Sequence, residues 1–209
     1  MPNRRVKQPS NQAEAPVVPN LHARKQEFVR NAIWDAAIDL FAEGGFDETT
    51  IDDIADAAGV SQRTFFRYFD SKADLMGKGT ADLAVALSDA IEACPPSFSL
   101  SETMREAVLK VANQAAAYPR LEKLIQIAAK YPGARQAQAS YAPEIETEIA
   151  QAYARRMKQP RKSDITPRVM AAITTSLFHV ALHTWLERGR GDIEATVDEV
   201  LGATRRVLA

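Results

Sequence analysis

Gln62, Arg63 and Thr64 stand in a row, Arg67 and Tyr68 follow a turn later, and Ser61 and Lys72 bracket the group. Nothing here pairs a nucleophile with a base. What the stretch offers is hydrogen bonding. A guanidinium fork matches the O6 and N7 edge of guanine, an amide both donates and accepts, and hydroxyl and ammonium groups suit phosphate oxygens. The implied chemistry is recognition of a duplex. Gln62, Arg63 and Thr64 stand in front for base edges, Arg67 and Tyr68 lie further along, and Thr50, Ser61 and Lys72 are placed for phosphates. Singly, Arg67 also reads as a surface arginine and Tyr68 as a core aromatic.

Such side chains need a rigid support, and Thr50 to Leu75 provides the pattern for one. Ile51, Ile54, Ala55 and Ala58 recur at helical spacing. Thr50 with Asp53 three residues on forms a capping box, and Gly59 allows the left-handed turn that stops a short helix. Ser61 caps the next helix, which turns Phe65 and Phe69 inward and leaves Gln62, Arg63, Thr64 and Arg67 outside. Ser71 with Asp74 then opens a third. Short helix, glycine turn and polar second helix make the sequence form of a helix-turn-helix.

These residues resemble the DNA-binding signature of the TetR family of bacterial transcriptional regulators. The resemblance is specific from Ala32 to Leu75 and rests on Thr50, Ile54-Ala55, Ala58 to Ser61, Phe65-Phe66, Tyr68-Phe69 and Lys72. Elsewhere it extends only to an all-helical layout of suitable length. Arg63 stands where many members have Gly, adding a possible base or phosphate contact. Phe66 stands where many have Tyr, removing a possible phosphate bond. The resemblance further implies that the start of the first helix, with Arg24, Lys25 and Arg30, approaches the DNA backbone. It implies, too, a small-molecule pocket in the larger domain and a dimer built as a four-helix bundle by the last two helices of each subunit.

Size and charge narrow the class. The 209 residues hold one large or two small domains, and abundant Ala, Leu, Glu and Arg favour helix. No continuous apolar run reaches membrane-spanning length, and the polar, proline-rich N-terminus lacks a secretory core, so a cytoplasmic protein is expected. A net charge of −1 predicts weak non-specific DNA binding. What counts is placement: Arg63, Arg67 and Lys72 lie within the reading unit, while Asp35, Asp39, Asp52 and Asp53 are expected outside it.

The chain divides into an arm (1–20), a helix-turn-helix domain (21–70) and a regulatory and dimerisation domain (71–209), all-α with about nine helices. The arm carries four prolines, and Arg4, Arg5 and Lys7 either reach DNA or are merely solvated. Leu21 to Glu43 reads as the first helix, its buried stripe traced by Phe28, Ala32, Ala36 and Leu40 with Ile33, Ala37 and Phe41. Phe46 plugs the three-helix core. A helix from Ser71 to Pro95 spans some 30 Å by its rise per residue and is the natural mechanical link. Four or five helices follow: one over 101–118, one over 119–129, one between Ala134 and Met157 with a restart at Pro143, one from Thr166-Pro167, and one from Asp192. Residues 159–165 form a loop. Ala172, Leu177, Ala181 and Trp185 face dimerisation with Ile193, Val197, Val200, Leu201 and Leu208, or else complete one monomer's core.

Met104, Leu121, Ile125, Phe178, His179, His183 and Trp185, with Phe98, are the candidate lining of an apolar ligand pocket, and ordinary core packing is their alternative. His179 and His183 share a helix face at i, i+4 spacing, but no third ligand is evident, so no metal and no cofactor are expected. Cys94, the only cysteine, reads as a buried or helix-end thiol. With no phosphate loop, nucleophile elbow or carboxylate pair, an enzyme is not expected. The reading is a DNA-binding regulator, a repressor released from a palindromic operator by a small hydrophobic ligand. A helical acyl- or ligand-binding module without DNA activity is the alternative, distinguished by the use made of Ala58 to Lys72.

Overall fold

The computed structural model describes residues 21–158, 161 and 163–208, the side chains of residues 119 and 208 excepted. The arm over 1–20, part of the 159–165 loop and the Leu208 side chain therefore lie outside the described residues. Among the described residues ten helices follow one another: α1 (Leu21–Gly44), α2 (Ile51–Ala57), α3 (Gln62–Phe65), α4 (Lys72–Ala93), α5 (Leu100–Ala116), α6 (Pro119–Lys130), α7 (Pro132–Ala139), α8 (Ala142–Arg156), α9 (Thr166–Glu187) and α10 (Ile193–Leu208). The number exceeds nine because the stretch after Ala134 is two helices, turning at Ser140 and Tyr141 ahead of Pro143.

Local chemistry sets the first boundaries. The Thr50 hydroxyl accepts from the Asp53 amide at 3.1 Å, and the Asp53 carboxylate accepts from the Thr50 amide at 2.9 Å, a complete capping box. At the other end of α2, Gly59 has φ 66°, the Val60 amide reaches the Ala55 carbonyl, and the Gly59 amide reaches that of Asp56. That is a Schellman turn, closing the helix within two residues. At α9 the Thr166-Pro167 pair opens the helix as its first two residues, and the Thr166 amide donates to the Asp164 carboxylate at 2.9 Å.

The stripe on α1 is rotated from the expected one. Ile33, Trp34, Ala37, Ile38 and Phe41 are buried, Ala32, Ala36 and Leu40 only in part, and Phe28 is 74% exposed. The helix outruns its neighbours, since residues 21–28 are all exposed. Trp34 is the pivotal member. Its indole N–H donates to the Leu75 carbonyl at 2.8 Å, pinning α1 to α4.

Two apolar clusters form the interior. One joins α4, α5, α8, α9 and α10 around Leu87, Val108, Tyr153, Phe178 and Leu182. The other joins Phe41, Phe46, Ile54, Phe65 and Phe69 to Leu75 and Met76 of α4 and to Leu124, Ile127, Ala128, Ala134 and Ala137 of α6 and α7. The interior thus runs straight across position 70. Ion pairs reinforce the seam, with Lys123 on Asp39 at 2.7 Å and Arg120 on Asp35 and Asp39 at 3.3 Å.

Among the described residues, α9 is long and apolar enough to cross a membrane on length and composition alone. Here it packs against α5, α8 and α10.

Candidate nucleic-acid interface and regulatory cavity

The reading helix is held from beneath and from its start. Phe65 and Phe69 are buried in the second cluster, and the Arg30 guanidinium lies 5.7 Å over the Phe69 ring. The Ser61 hydroxyl accepts from the Thr64 amide at 3.2 Å and meets the Thr64 hydroxyl at 3.0 Å. Above this base Gln62, Arg63 and Arg67 are exposed and Thr64 and Tyr68 partly so, on the side away from the core, as the spacing predicts. Arg67 lies 5.0 Å over the Tyr68 ring, so these two side chains form one stacked unit. Arg24 is exposed near the start of α1.

Three expectations need correction. Lys72 does not present its ammonium to solvent. It donates to the carbonyls of Phe46 at 2.8 Å, Thr49 at 2.9 Å and Asp47 at 3.1 Å, with the charge 5.1 Å over the Phe46 ring. An ammonium has three donors, and all three are spent tying α4 to the α1–α2 turn. Thr50 has its hydroxyl engaged with Asp53 at 2.6 Å, which makes it a cap before it is a phosphate contact. Asp52 does not lie apart from the reading unit. Its carboxylate accepts from the Gln62 amide. Nothing in the linear sequence marks that pairing, because it depends on how the turn folds α3 back on α2.

A cavity of about 250 Å³ opens between α4, α6, α7 and α9. Leu121, Ile125, Phe178, His179 and His183 line it, five of the eight residues singled out from sequence, joined by Gly79, Thr80, Leu83, Leu124, Arg135 and Gln138. A neighbouring space of about 400 Å³ shares Thr80, Arg135, Gln138 and His179 and reaches Ala139, Ala142, Ile145 and Glu146. His179 lines both spaces and keeps much of its ring exposed to solvent. The surrounding walls hold its pKa below the usual histidine value, and neighbouring His183 adds to the effect. Among the described residues no three His, Cys, Asp or Glu side chains gather as a metal site.

Met104 and Trp185 are not part of this lining. Met104 is buried in the first cluster, and the Trp185 indole donates to the Gly191 carbonyl at 2.6 Å, bracing the turn between α9 and α10. Phe98 lies beside the α4–α5 turn, where Arg156 donates to its carbonyl at 3.2 Å. Cys94 is buried, its thiol against the Ala90 carbonyl, and burial pushes its pKa up although Arg156 pulls the other way.

The α9–α10 face also differs in detail from the expected one. Leu177, Ala181, Trp185, Ile193, Val197 and Leu201 are buried inside the protomer. The open groove keeps Ala172, Val200 and an edge of Leu177 from the expected set and adds Ile173, Ser176, Val180, Ala203, Thr204 and Val207. Because α9 is apolar around most of its circumference, periodicity could not say which side faces out.

A capped helix-turn-helix fused through a continuous core to a helical domain with a cavity defines a class: DNA-binding transcriptional regulators. The pattern for bacterial regulatory proteins of the tetR family matches residues 33–77, and that for the MftR C-terminal domain matches residues 98–209. The chain belongs to the TetR family. It is 27% identical over 187 residues to the HTH-type transcriptional regulator TcmR of Streptomyces glaucescens, covering 85% of this chain and 81% of that one. To the putative mycofactocin biosynthesis transcriptional regulator MftR of Mycobacterium tuberculosis it is 38% identical over 98 residues, 39% of this chain and 50% of that protein. The fold matches NalD of Pseudomonas aeruginosa, described as the secondary repressor of the MexAB-OprM multidrug efflux pump, with TM-score 0.61 at 18% identity over 87% of this chain and 96% of that one.

Proposed function

We propose that the chain is a cytoplasmic repressor, and not a catalyst, that binds a palindromic operator as a homodimer and leaves it when a small apolar molecule enters the cavity. Gln62, Arg63 and Thr64 read base edges, with Arg67 and Tyr68 beside them. Arg24 and the Ser61 cap lie against the backbone. Two copies meet along the open α9–α10 groove, where Ala172, Ser176 and Ala203 allow close approach, and the two-fold axis spaces the reading heads for half-sites.

One observation carries the regulatory part. Leu124 and Ala128 line the cavity and also belong to the cluster that holds Phe65 and Phe69 beneath the reading helix. A ligand that prefers a displaced α6 therefore prefers a displaced reading head, and such differential affinity is what shifts a population. The apolar walls with Arg135 and His179 at their polar side suit hydrophobic acids and their thioesters.

The test is titration of the full chain against the DNA flanking its own gene, by anisotropy over a salt series. Sequence-dependent sub-micromolar binding, about 10⁻⁸–10⁻¹¹ M for typical specific sites, that weakens with salt and is reversed by hydrophobic acids or thioesters is the expected result. Absence of preference over random DNA would overturn operator recognition. Binding that no such compound reverses would overturn the ligand.

A further inference from the structure

We infer that Asp52 is a specificity-determining residue: from the scaffold helix α2 it fixes which way Gln62 presents its amide, and so which bases that position accepts. The inference rests on Gln62 as a base-edge residue and goes one step beyond it.

The chemistry follows from one contact. The Gln62 Nε2 group donates to the Asp52 carboxylate, and both side chains are exposed on the same side of the unit. An ionised carboxylate only accepts, so the amide must meet it with its NH₂ end. The carbonyl oxygen Oε1 is thereby turned away from α2, toward whatever the reading helix faces. The backbones on both sides of this contact are fixed. The capping box at Thr50 and Asp53 sets the start of α2, and the Ser61 cap sets the start of α3. The side chain is therefore held between two anchored points.

An outward acceptor is selective. In the major groove, adenine offers an amino hydrogen at N6 and cytosine at N4, whereas guanine O6 and thymine O4 offer only acceptors at the matching position. An untethered glutamine can turn its amide over and serve either kind of edge. Gln62, held by Asp52, turns its acceptor toward the amino hydrogens of adenine and cytosine, and at guanine or thymine that acceptor meets another acceptor, leaving only the second N–H to serve their oxygens. The Asp52 charge also stands close to the reading helix, where it disfavours phosphate and so disfavours off-register binding.

The test is selection of binding sites from a randomised duplex pool by the full chain and by Asp52→Ala, Asp52→Asn and Gln62→Ala, with helical melts confirming that each variant is folded. The native chain should restrict one position in each half-site to adenine or cytosine. Gln62→Ala should erase that restriction and no other. Both Asp52 variants should admit guanine or thymine there, narrowing the discrimination by about fivefold or more, since one good base contact is worth roughly 5- to 100-fold. Asp52→Asn is the sharper variant because its amide accepts either end of Gln62.

Selected sites unchanged in Gln62→Ala would remove Gln62 from the bases and the inference with it. If Gln62→Ala erases the restriction while both Asp52 variants keep it, Gln62 reads a base but Asp52 does not orient it. A native preference for guanine or thymine at that position, or loss of all binding by folded Asp52 variants, would also overturn the inference.

Discussion

The Tyr141 phenol donates to the Asp74 carboxylate at 2.8 Å, and its ring occupies the place where a side chain on Gly77 would stand. Asp74 in turn accepts from the Asp70 amide at 2.7 Å, at the end of the reading segment. Tyr141 lies in the α7–α8 turn, whose flanking residues Ala139 and Ala142 line the space beside the cavity. One aromatic side chain therefore joins the wall of that space to the start of α4. Burial first, and Asp74 second, push the Tyr141 pKa up to about 12, so the phenol stays a donor. Tyr141→Phe should cost about 1 kcal/mol in urea unfolding and weaken ligand-driven operator release more than it weakens ligand binding. At Gly77 an added Cβ would fall 2.2 Å from the ring. Gly77→Ala should therefore cost about 1–3 kcal/mol by overpacking, read in the same unfolding assay.

Lys72 serves as a clamp, so its replacement should act on stability before it acts on DNA. Lys72→Met strands the carbonyls of Phe46, Asp47 and Thr49 and should lower unfolding free energy by about 2 kcal/mol. The salt dependence of operator binding discriminates the roles. A phosphate contact would lower the slope by about one; a clamp leaves the slope as it was.

Arg63 is exposed at the front of the reading helix. Arg63→Ala should weaken operator binding by about 1–3 kcal/mol and relax preference at one base position. Titration of the operator and its single-base variants measures both, and unchanged affinity would remove Arg63 from the interface.

Val180 is 51% exposed at the α9–α10 groove. Val180→Glu should leave the protomer's helical content and its unfolding intact while dissociating the dimer in sedimentation. Operator affinity should fall together with dimer content, because each half-site then binds alone.

Acid should destabilise the chain through particular carboxylates. The Lys123 hydrogen bond holds Asp39 below the usual aspartate pKa, and Arg120 assists against burial. At Asp74 burial acts upward, but bonds from Tyr141, Asp70 and Ser71 outweigh it and keep the value low. A depressed native pKa means that the unfolded chain takes up protons first. The stabilisation is whole above an ordinary aspartate pKa of about 3.9 and is lost as pH falls through the lower native values. Urea midpoints measured from pH 6 down to pH 3 should decline mainly below about pH 4, and Tyr141→Phe should flatten the decline.

The amino-acid sequence alone determined the local architecture of the reading unit. Thr50, Asp53, Gly59 and Ser61 act within three or four residues of themselves, so their caps and turn follow from types and spacing. The same holds for the inward Phe65 and Phe69 and the outward Gln62, Arg63 and Arg67. The lining of the cavity was legible in five residues, because Leu121, Ile125, Phe178, His179 and His183 recur at helical spacing on α6 and α9. Trp185 was misassigned for a related reason: apolar periodicity finds a buried side but not its neighbour.

Tertiary structure decided everything that depends on distant segments meeting. Lys72 finds three carbonyls some 25 residues back in the chain, which turns an apparent phosphate ligand into a clamp. Asp52 reaches Gln62 only because the Gly59 turn folds α3 against α2, and Tyr141 reaches Asp74 across 67 positions. The open face of α9 follows from α5, α8 and α10 covering its other sides. Side-chain type fixes what a group can bond. Only the packed chain fixes which partner it is offered.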